Sequence, residues 1–422
     1  MNLTNQLAFR WLTTSWIVRM FKIFYVSCLV LPFALGVPVK EQENESSSDL
    51  DTQALFPDPA ELARRVGYNA ETHNVTTEDG YILQMHRITG RQKSTKPKPA
   101  VLILHGLLDC AATWVISDPT RSLAFSLSDR GYDVWLGNAR GSRYSRKHKV
   151  MSTMNGNYWK FSWHEIGVYD VPAMIDHITE TTKQEKIFYI GHSQGGTSFF
   201  VMASERPEYQ KKIIASFTLA PAVFMPNTRN ILFRLLSPIA TDLKAVGDLI
   251  GLYEFLPSPT LMKILATKIC QENAPLMPMC KSIIFLAGGI DKELNTTLVP
   301  NVVKYDPAGA SVMQLVHYGQ LINSGKFQQF NHGLLSNLWT YGQIHPPEYN
   351  LNNVNIPVHI HYSTNDALVD YKDSIKLAKV VPNAEKLLVP HKDFAHLDFV
   401  WGNNVDSLVY DKIYSQLKQY KS

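Results

Sequence analysis

Ile187-Phe188-Tyr189-Ile190-Gly191-His192-Ser193-Gln194-Gly195-Gly196 is the stretch from which the rest of the chain is read. Its four opening residues are apolar, β-branched or aromatic, and read as a buried parallel strand. They run straight into Gly-x-Ser-x-Gly, after which Thr197 to Ala203 reads as a helix. Strand, sharp turn and helix together are what give this short pattern chemical meaning, because they expose a serine at the end of a sheet. Side chains two residues before and after the serine would collide in so tight a turn, so Gly191 and Gly195 are needed there. Gly196 is expected to let the helix press against the strand. Ser193 is then held at the positive end of a helix, where a developing anion is stabilised.

Upstream, Tyr68 to Thr76 and Tyr81 to Ile88 read as strands joined by the turn signal Glu78-Asp79-Gly80. Pro99 to Leu104 is a near-continuous apolar strand followed by His105-Gly106-Leu107-Leu108. Trp114 to Leu127 reads as a helix, Tyr132 to Leu136 as a strand, Asn138 to Lys149 as a basic loop and Val168 to Thr181 as a helix. Ile213 to Leu219 is the strand after the elbow. Strands apolar throughout and alternating with helices specify an α/β fold, a mostly parallel sheet covered on both faces. The next convincing strand, Ile356 to Tyr362, lies about 130 residues further on, where a crossover needs only a dozen or so. The excess, rich in Leu, Phe, Pro and Met, reads as an inserted helical cap, part of which is expected to move as a lid. A helix near Tyr371 to Val380, a strand Glu385 to Val389 and a final helix Val405 to Gln419 close the chain. The expected organisation is core at 56–223, cap at 224–350 and core again at 351–422.

The 422 residues are 45% hydrophobic and 18% charged, a globular balance, and the formal net charge of +4 with no long basic run excludes nucleic acid as a partner. Residues 1–36 read as a signal peptide: Arg19 and Lys22 precede the apolar run Ile23 to Leu35, and Ala34-Leu35-Gly36 supplies small residues for cleavage. Met20 is an alternative start. The run is too short to span a bilayer comfortably, and 37–55 has the composition of a flexible leader. Cleavage near Gly36 removes Cys28 and leaves Cys110, Cys270 and Cys280; the spacing of the last two suits a local disulfide, with Cys110 buried and free. Asn44, Asn74 and Asn295 begin glycosylation sequons.

A serine hydroxyl needs a general base and a group that orients the base. In a fold of this kind acid and histidine follow the serine, each on a loop at the C-terminal edge of the sheet. Asp366 is the first acidic residue after the Ile356 strand, with Asp370 and Asp398 behind it as candidates. His391 and His396 follow the last strand; His396 is favoured because it lies deeper in the loop. The oxyanion donors are expected to be the N–H groups of Gln194, next to the nucleophile, and of Leu107, with His105 a structural member of that loop. No HExxH, CxxC or P-loop pattern occurs, so no metal, nucleotide or other cofactor is implied.

His105-Gly106-Leu107-Leu108, Asn138-Ala139-Arg140-Gly141-Ser142-Arg143-Tyr144-Ser145-Arg146-Lys147-His148, Tyr169-Asp170-Val171-Pro172-Ala173, Gly191-His192-Ser193-Gln194-Gly195-Gly196, Ser324-Gly325-Lys326-Phe327-Gln328 and His396-Leu397-Asp398-Phe399 occur in this order. From about Leu62 onward the chain thereby resembles the acid lipases, the gastric and lysosomal group. The resemblance implies an α/β-hydrolase fold with Ser193, Asp366 and His396 as triad, Leu107 and Gln194 as oxyanion donors, a lidded cap and a Cys270–Cys280 bridge. The expected protein is a secreted or lysosomal monomer that cleaves acylglycerol or sterol esters at a lipid interface through an acyl-Ser193 intermediate. A short-chain carboxylesterase, or a non-catalytic lipid carrier on the same fold, is the alternative.

Overall fold

The elbow strand lies in the middle of a nine-stranded open sheet. The computed structural model describes residues 56–92, 96–255, 267, 270–271 and 295–420, all within Leu55–Ser422, one of two compact units of the chain. The signal segment, the leader, Cys28, Asn44 and Cys280 lie outside the described residues, as does most of the segment expected to act as a lid.

A short helix α1 (Pro59–Arg65) opens the described chain, capped by the Asp58 carboxylate, which accepts the Glu61 N–H at 2.7 Å. Strands β1 (Asn69–Thr76) and β2 (Tyr81–Gly90) form the expected hairpin. After β3 (Ala100–Leu104) the expected helix Trp114 to Leu127 is not formed as such. Ala111–Trp114 is a single 3-10 turn, and the helix α2 is only Leu123–Asp129. Pro119 sits between them, and the Ser122 hydroxyl caps α2 at Phe125 N–H, so the chain restarts the helix there. Next come β4 (Asp133–Gly137), the two-residue β5 (Lys147–His148), α3 (Val171–Thr182), β6 (Ile187–His192), α4 (Gln194–Glu205) and β7 (Ile213–Leu219).

Between β7 and β10 (Val358–Tyr362) the described chain is mainly helical: α5 (Ile231–Leu236), α6 (Ala240–Ile250), α7 (Val299–Tyr305), α8 (Val312–Ser324) and α9 (Leu334–Tyr341). One small antiparallel ladder, β8 (Glu254–Phe255) on β9 (Ala310–Ser311), stands apart from the main sheet. The chain ends with α10 (Tyr371–Val380), β11 (Ala384–Leu388), α11 (Asp398–Trp401) and α12 (Asp411–Gln419).

The sheet order is β1-β2-β4-β3-β6-β7-β10-β11, with β5 on β2; pairs from β4 to β11 are parallel, and β1 and β2 are the antiparallel end. β3, β4 and β6 are buried along their whole length, which is why they read as unbroken apolar runs. Their residues alternate between two cores: Leu102, Trp135 and Tyr189 face one, Ile103, Leu136 and Phe188 the other. The edge strand β11 carries Glu385 and Lys386 in exposed positions, and charge there discourages further pairing.

The basic loop after β4 is not a solvated patch. Arg140 is buried, its Nε 2.7 Å from Asp170 Oδ1 and its two terminal nitrogens on Asp79, with its guanidinium over the Tyr81 ring. That cluster ties the β1–β2 turn to the start of α3.

Candidate active site

β6 ends at His192, and the chain reverses through Ser193 at φ 49°, ψ −111°. A non-glycine residue in such a conformation costs about 1–3 kcal/mol and persists only where its surroundings enforce it. Here the Ser193 N–H donates to Leu219 O at 2.8 Å, and Ser193 O accepts from Thr197 N–H at 3.1 Å. A Cβ on Gly191 would lie 2.6 Å from the Gly195 backbone carbon, and one on Gly195 only 2.4 Å from Leu104 O. The two glycines therefore do what the turn demands. Gly196 differs from its expected role: a Cβ there would meet Pro221 at 2.7 Å, so it lets α4 press on the chain leaving β7 rather than on the elbow strand. Gln194 is the first residue of α4, where backbone N–H groups have no acceptor within the helix.

The loop after β3 lies against this turn. A Cβ on Gly106 would be 3.4 Å from Ser193 Cβ and 3.3 Å from His192 Nδ1. His105 is indeed a structural member of it. Its Nε2 accepts from Ala139 N–H at 3.1 Å, which leaves the proton on Nδ1, 2.8 Å from Gly106 O. Burial pushes His105 down to about 4, so it stays neutral. The carbonyl it holds belongs to the same peptide plane as the Leu107 N–H. His105 thereby sets the direction of that N–H, while the Leu107 side chain packs half-buried on the core.

Asp366 and His396, on the loops after β10 and β11, meet at 2.7 Å between Oδ2 and Nδ1, and both are almost fully enclosed. Asp366 Oδ1 accepts the N–H groups of Leu368 at 2.9 Å and Val369 at 2.8 Å, which fixes the carboxylate plane. The two loops are joined by Ser363, whose hydroxyl donates to Phe394 O at 2.6 Å. The other acids have different work. Asp370 caps α10 and pairs with Arg229 at 2.9 Å, and Asp398 accepts the Ala395 N–H at 2.7 Å within its own loop.

His192 carries a role that sequence reading did not assign. Its Nε2 donates to the carbonyl of His396 at 3.1 Å, and the two rings lie 4.9 Å apart. Burial first, then the nearby His396, drives its basicity well below that of a free imidazole, so it acts as a neutral strut. It touches the His396 loop on one side and Gly106 on the other, bracing both against the elbow.

Beneath the Gly106–Leu108 turn are two carboxyls. Asp109 is raised well above the ordinary range by burial and by Asp306; burial raises Asp306 to about 7 against the pull of Arg143. Asp306 Oδ1 is enclosed without a hydrogen-bond partner among the described residues. The chain at Asp306 is tied to the loop through Ala308 N–H, which donates to Leu108 O at 2.5 Å.

Among the described residues no group of His, Cys, Asp or Glu has the makings of a metal site, and no helix is long and apolar enough to cross a membrane. Cys110 is free and buried, and Cys270 is disulfide-bonded. Asn74 is exposed on β1; Asn295 Oδ1 accepts from Thr297 Oγ1 at 2.7 Å.

Two predictions follow from this geometry. His396→Gln is expected to lower kcat by ~10⁴ and His391→Gln by less than about threefold, with His192→Ala between them at ~10–100-fold in kcat and little change in KM. Steady-state kinetics on a soluble ester decides the ranking; equal loss at His391 would move the base. The second concerns Asp306. Between the usual carboxylate pKa of ~4 and about 7 the folded chain holds a proton that the unfolded chain releases. Its contribution to stability therefore falls as pH rises through that window. Asp306→Asn should match wild type in acid and exceed it by a growing number of degrees toward neutral pH in calorimetric Tm. Parallel curves would contradict it.

Residues 59–118 match the model of a partial α/β-hydrolase lipase region, and 99–238 that of the α/β hydrolase fold. Lipase 3 of Drosophila melanogaster is 44% identical over 84% of this chain and 91% of its own length. Human gastric triacylglycerol lipase is 36% identical over 84% and 89%, and lysosomal acid lipase/cholesteryl ester hydrolase of Macaca fascicularis 37% over 86% and 91%. Among solved structures, a putative lipase from Sulfolobus solfataricus shares the fold with a TM-score of 0.55 at 16% identity, covering 84% of this chain and 95% of its own. The chain belongs to the acid lipase family of α/β-hydrolases, with the gastric and lysosomal lipases.

Proposed function

We propose that this protein is a serine lipase, secreted or lysosomal, that hydrolyses the carboxylic esters of acylglycerols or sterols. The observation that carries the reading is the buried Asp366–His396 pair, braced through His192 onto the elbow that holds Ser193. With the His396 Nδ1 proton committed to Asp366, Nε2 is the nitrogen left to take the Ser193 hydroxyl proton. Ser193 Oγ adds to the ester carbonyl, and the Leu107 and Gln194 N–H groups stabilise the oxyanion. Protonated His396 gives its proton to the departing alcohol. Water then attacks the acyl-Ser193 ester, again with His396 as base, and releases the acid. Asp366 orients the ring and stabilises its charge without itself taking the proton.

The helical insertion at 224–350 serves as a cap over this site, and the segment 252–285 as its lid, tethered by a Cys270–Cys280 bridge. The disulfide-bonded state of Cys270 supports an oxidising compartment, in keeping with removal of residues 1–36. The names of the relatives favour triacylglycerol or cholesteryl ester substrates, and a complete set of serine, acid and histidine argues against a non-catalytic carrier. The expected species is a monomer.

Hydrolysis of emulsified triacylglycerol, cholesteryl ester and a soluble short-chain ester by wild type and Ser193→Ala, across pH, tests this. Ser193→Ala should lose ~10⁴ or more of kcat on every substrate while keeping its thermal unfolding transition. Retention of a tenth of the rate would refute the nucleophile, and activity confined to the soluble ester would refute the lipase. In the same assay Cys270→Ser should weaken attack on emulsion more than on the soluble ester, whereas equal loss would remove the lid.

A further inference from the structure

Helix α9 is built inside out for a water-soluble surface. Of its eight residues only Asn337 is buried. Its amide nitrogen donates to Asn331 Oδ1 at 2.8 Å and Ile344 O at 2.9 Å, and its Oδ1 accepts the His332 N–H at 2.8 Å. The apolar residues point the other way: Trp339 is 90% exposed, Leu335 77%, Leu334 65% and Leu338 50%, with Ile344 just beyond the helix at 50%. Burial normally sorts an amphipathic helix in the opposite sense.

The pedestal is firm. Asn331 N–H donates to Gln320 Oε1 at 2.8 Å and Gln320 Nε2 returns a bond to Asn331 O at 2.9 Å, fastening the base of α9 to α8. Tyr341 OH donates to Phe330 O at 2.8 Å, closing the other end. α8 in turn reaches the nucleophile helix, with Tyr318 OH 3.0 Å from Thr197 Oγ1. The exposed face is held by polar bonds behind it, and so persists without a partner.

Charge narrows what it meets. No Asp, Glu, Lys or Arg occurs from Phe327 to Pro347, and the charges at either end, Lys326 and Glu348, pair with each other at 2.5 Å. An acidic or basic protein partner would find no charged side chain within this stretch to complement. Five side chains offer a few hundred Å², well below the ~800 Å² per partner of a stable dimer. Leucines beside a tryptophan on an uncharged face suit the boundary between lipid headgroups and acyl chains.

We propose that α9 is an anchor that inserts Leu334, Leu335, Leu338 and Trp339 into an uncharged lipid surface and holds the enzyme there independently of the lid. This rests on the reading of the protein as a lipase, so binding and turnover are measured separately. Binding is read by flotation of the full-length Ser193→Ala protein with phosphatidylcholine vesicles and with phosphatidylcholine-coated triolein droplets. Leu335→Ser/Trp339→Ser, added to that background, should reduce binding roughly tenfold or more, and Trp339→Phe should retain most of it. Binding should not weaken between low and high salt. With Ser193 intact, the double variant should keep its rate on a soluble ester and lose emulsion hydrolysis. Wild-type binding to droplets without emulsion turnover would sink the lipase and keep the anchor. Four results would overturn the anchor: unaltered droplet binding by the double variant, a requirement for anionic vesicles, conversion of a dimer to a monomer by the substitution, or an equal fall on both substrates.

Discussion

A serine whose backbone sits at φ 49°, ψ −111° is the constraint on which the rest of this molecule depends. The conformation is unfavourable by itself, and every element around it exists in part to impose it. β7 supplies Leu219 O to the Ser193 N–H, β3 brings its Leu104 carbonyl so near that residue 195 has no room for a side chain, and α4 begins at once. Parallel neighbours on both sides of β6 make the sheet edge rigid, and a rigid edge can hold a strained residue. The strain brings the hydroxyl to the tip of the sheet, beside the first turn of α4 and close to the Gly106 backbone.

Around that residue the site is organised by neutral imidazoles as much as by the Asp366–His396 pair. His105 is buried, carries its proton on Nδ1 and steers the Gly106–Leu107 peptide. His192 is buried, carries its proton on Nε2 and grips the His396 carbonyl. Low-dielectric surroundings favour the uncharged ring in both, which suits a strut that must not compete with His396 for protons. Asp109 and Asp306 extend the same principle to carboxyls: burial favours their protonated forms, so the support beneath the Gly106–Leu108 turn gains from acid.

Much of this was legible in the chain, for identifiable reasons. β3, β4, β6 and β7 are buried and therefore apolar, and Gly191 is forced by local geometry, its contact with Gly195 four residues on. Loop order singles out Asp366 and His396, and the two side chains do meet on the loops after β10 and β11. What escaped depends on contacts distant in sequence or on competition between local signals. The helix expected from Trp114 gave way to Pro119 and the Ser122 cap. Arg140 read as a loop cation and proved to be a buried tie between Asp79 and Asp170. The duty of His192 is set by a carbonyl 204 residues later, and the apolar face of α9 reads like any cap helix until Asn337 is seen to be its buried side.

The central claim is that Ser193, His396 and the Leu107 and Gln194 N–H groups converge on one reacting carbonyl. A crystal structure of the protein after reaction with a long-chain alkyl phosphonate tests it most directly, because the tetrahedral phosphorus reproduces the geometry of the addition intermediate. The account predicts phosphorus bonded to Ser193 Oγ, with its non-ester oxygen about 2.7–3.1 Å from the nitrogens of both Leu107 and Gln194. His396 Nε2 should lie within hydrogen-bond distance of Oγ or the ester oxygen. Phosphorus on another residue, or an oxygen turned away from those two nitrogens, would contradict the account.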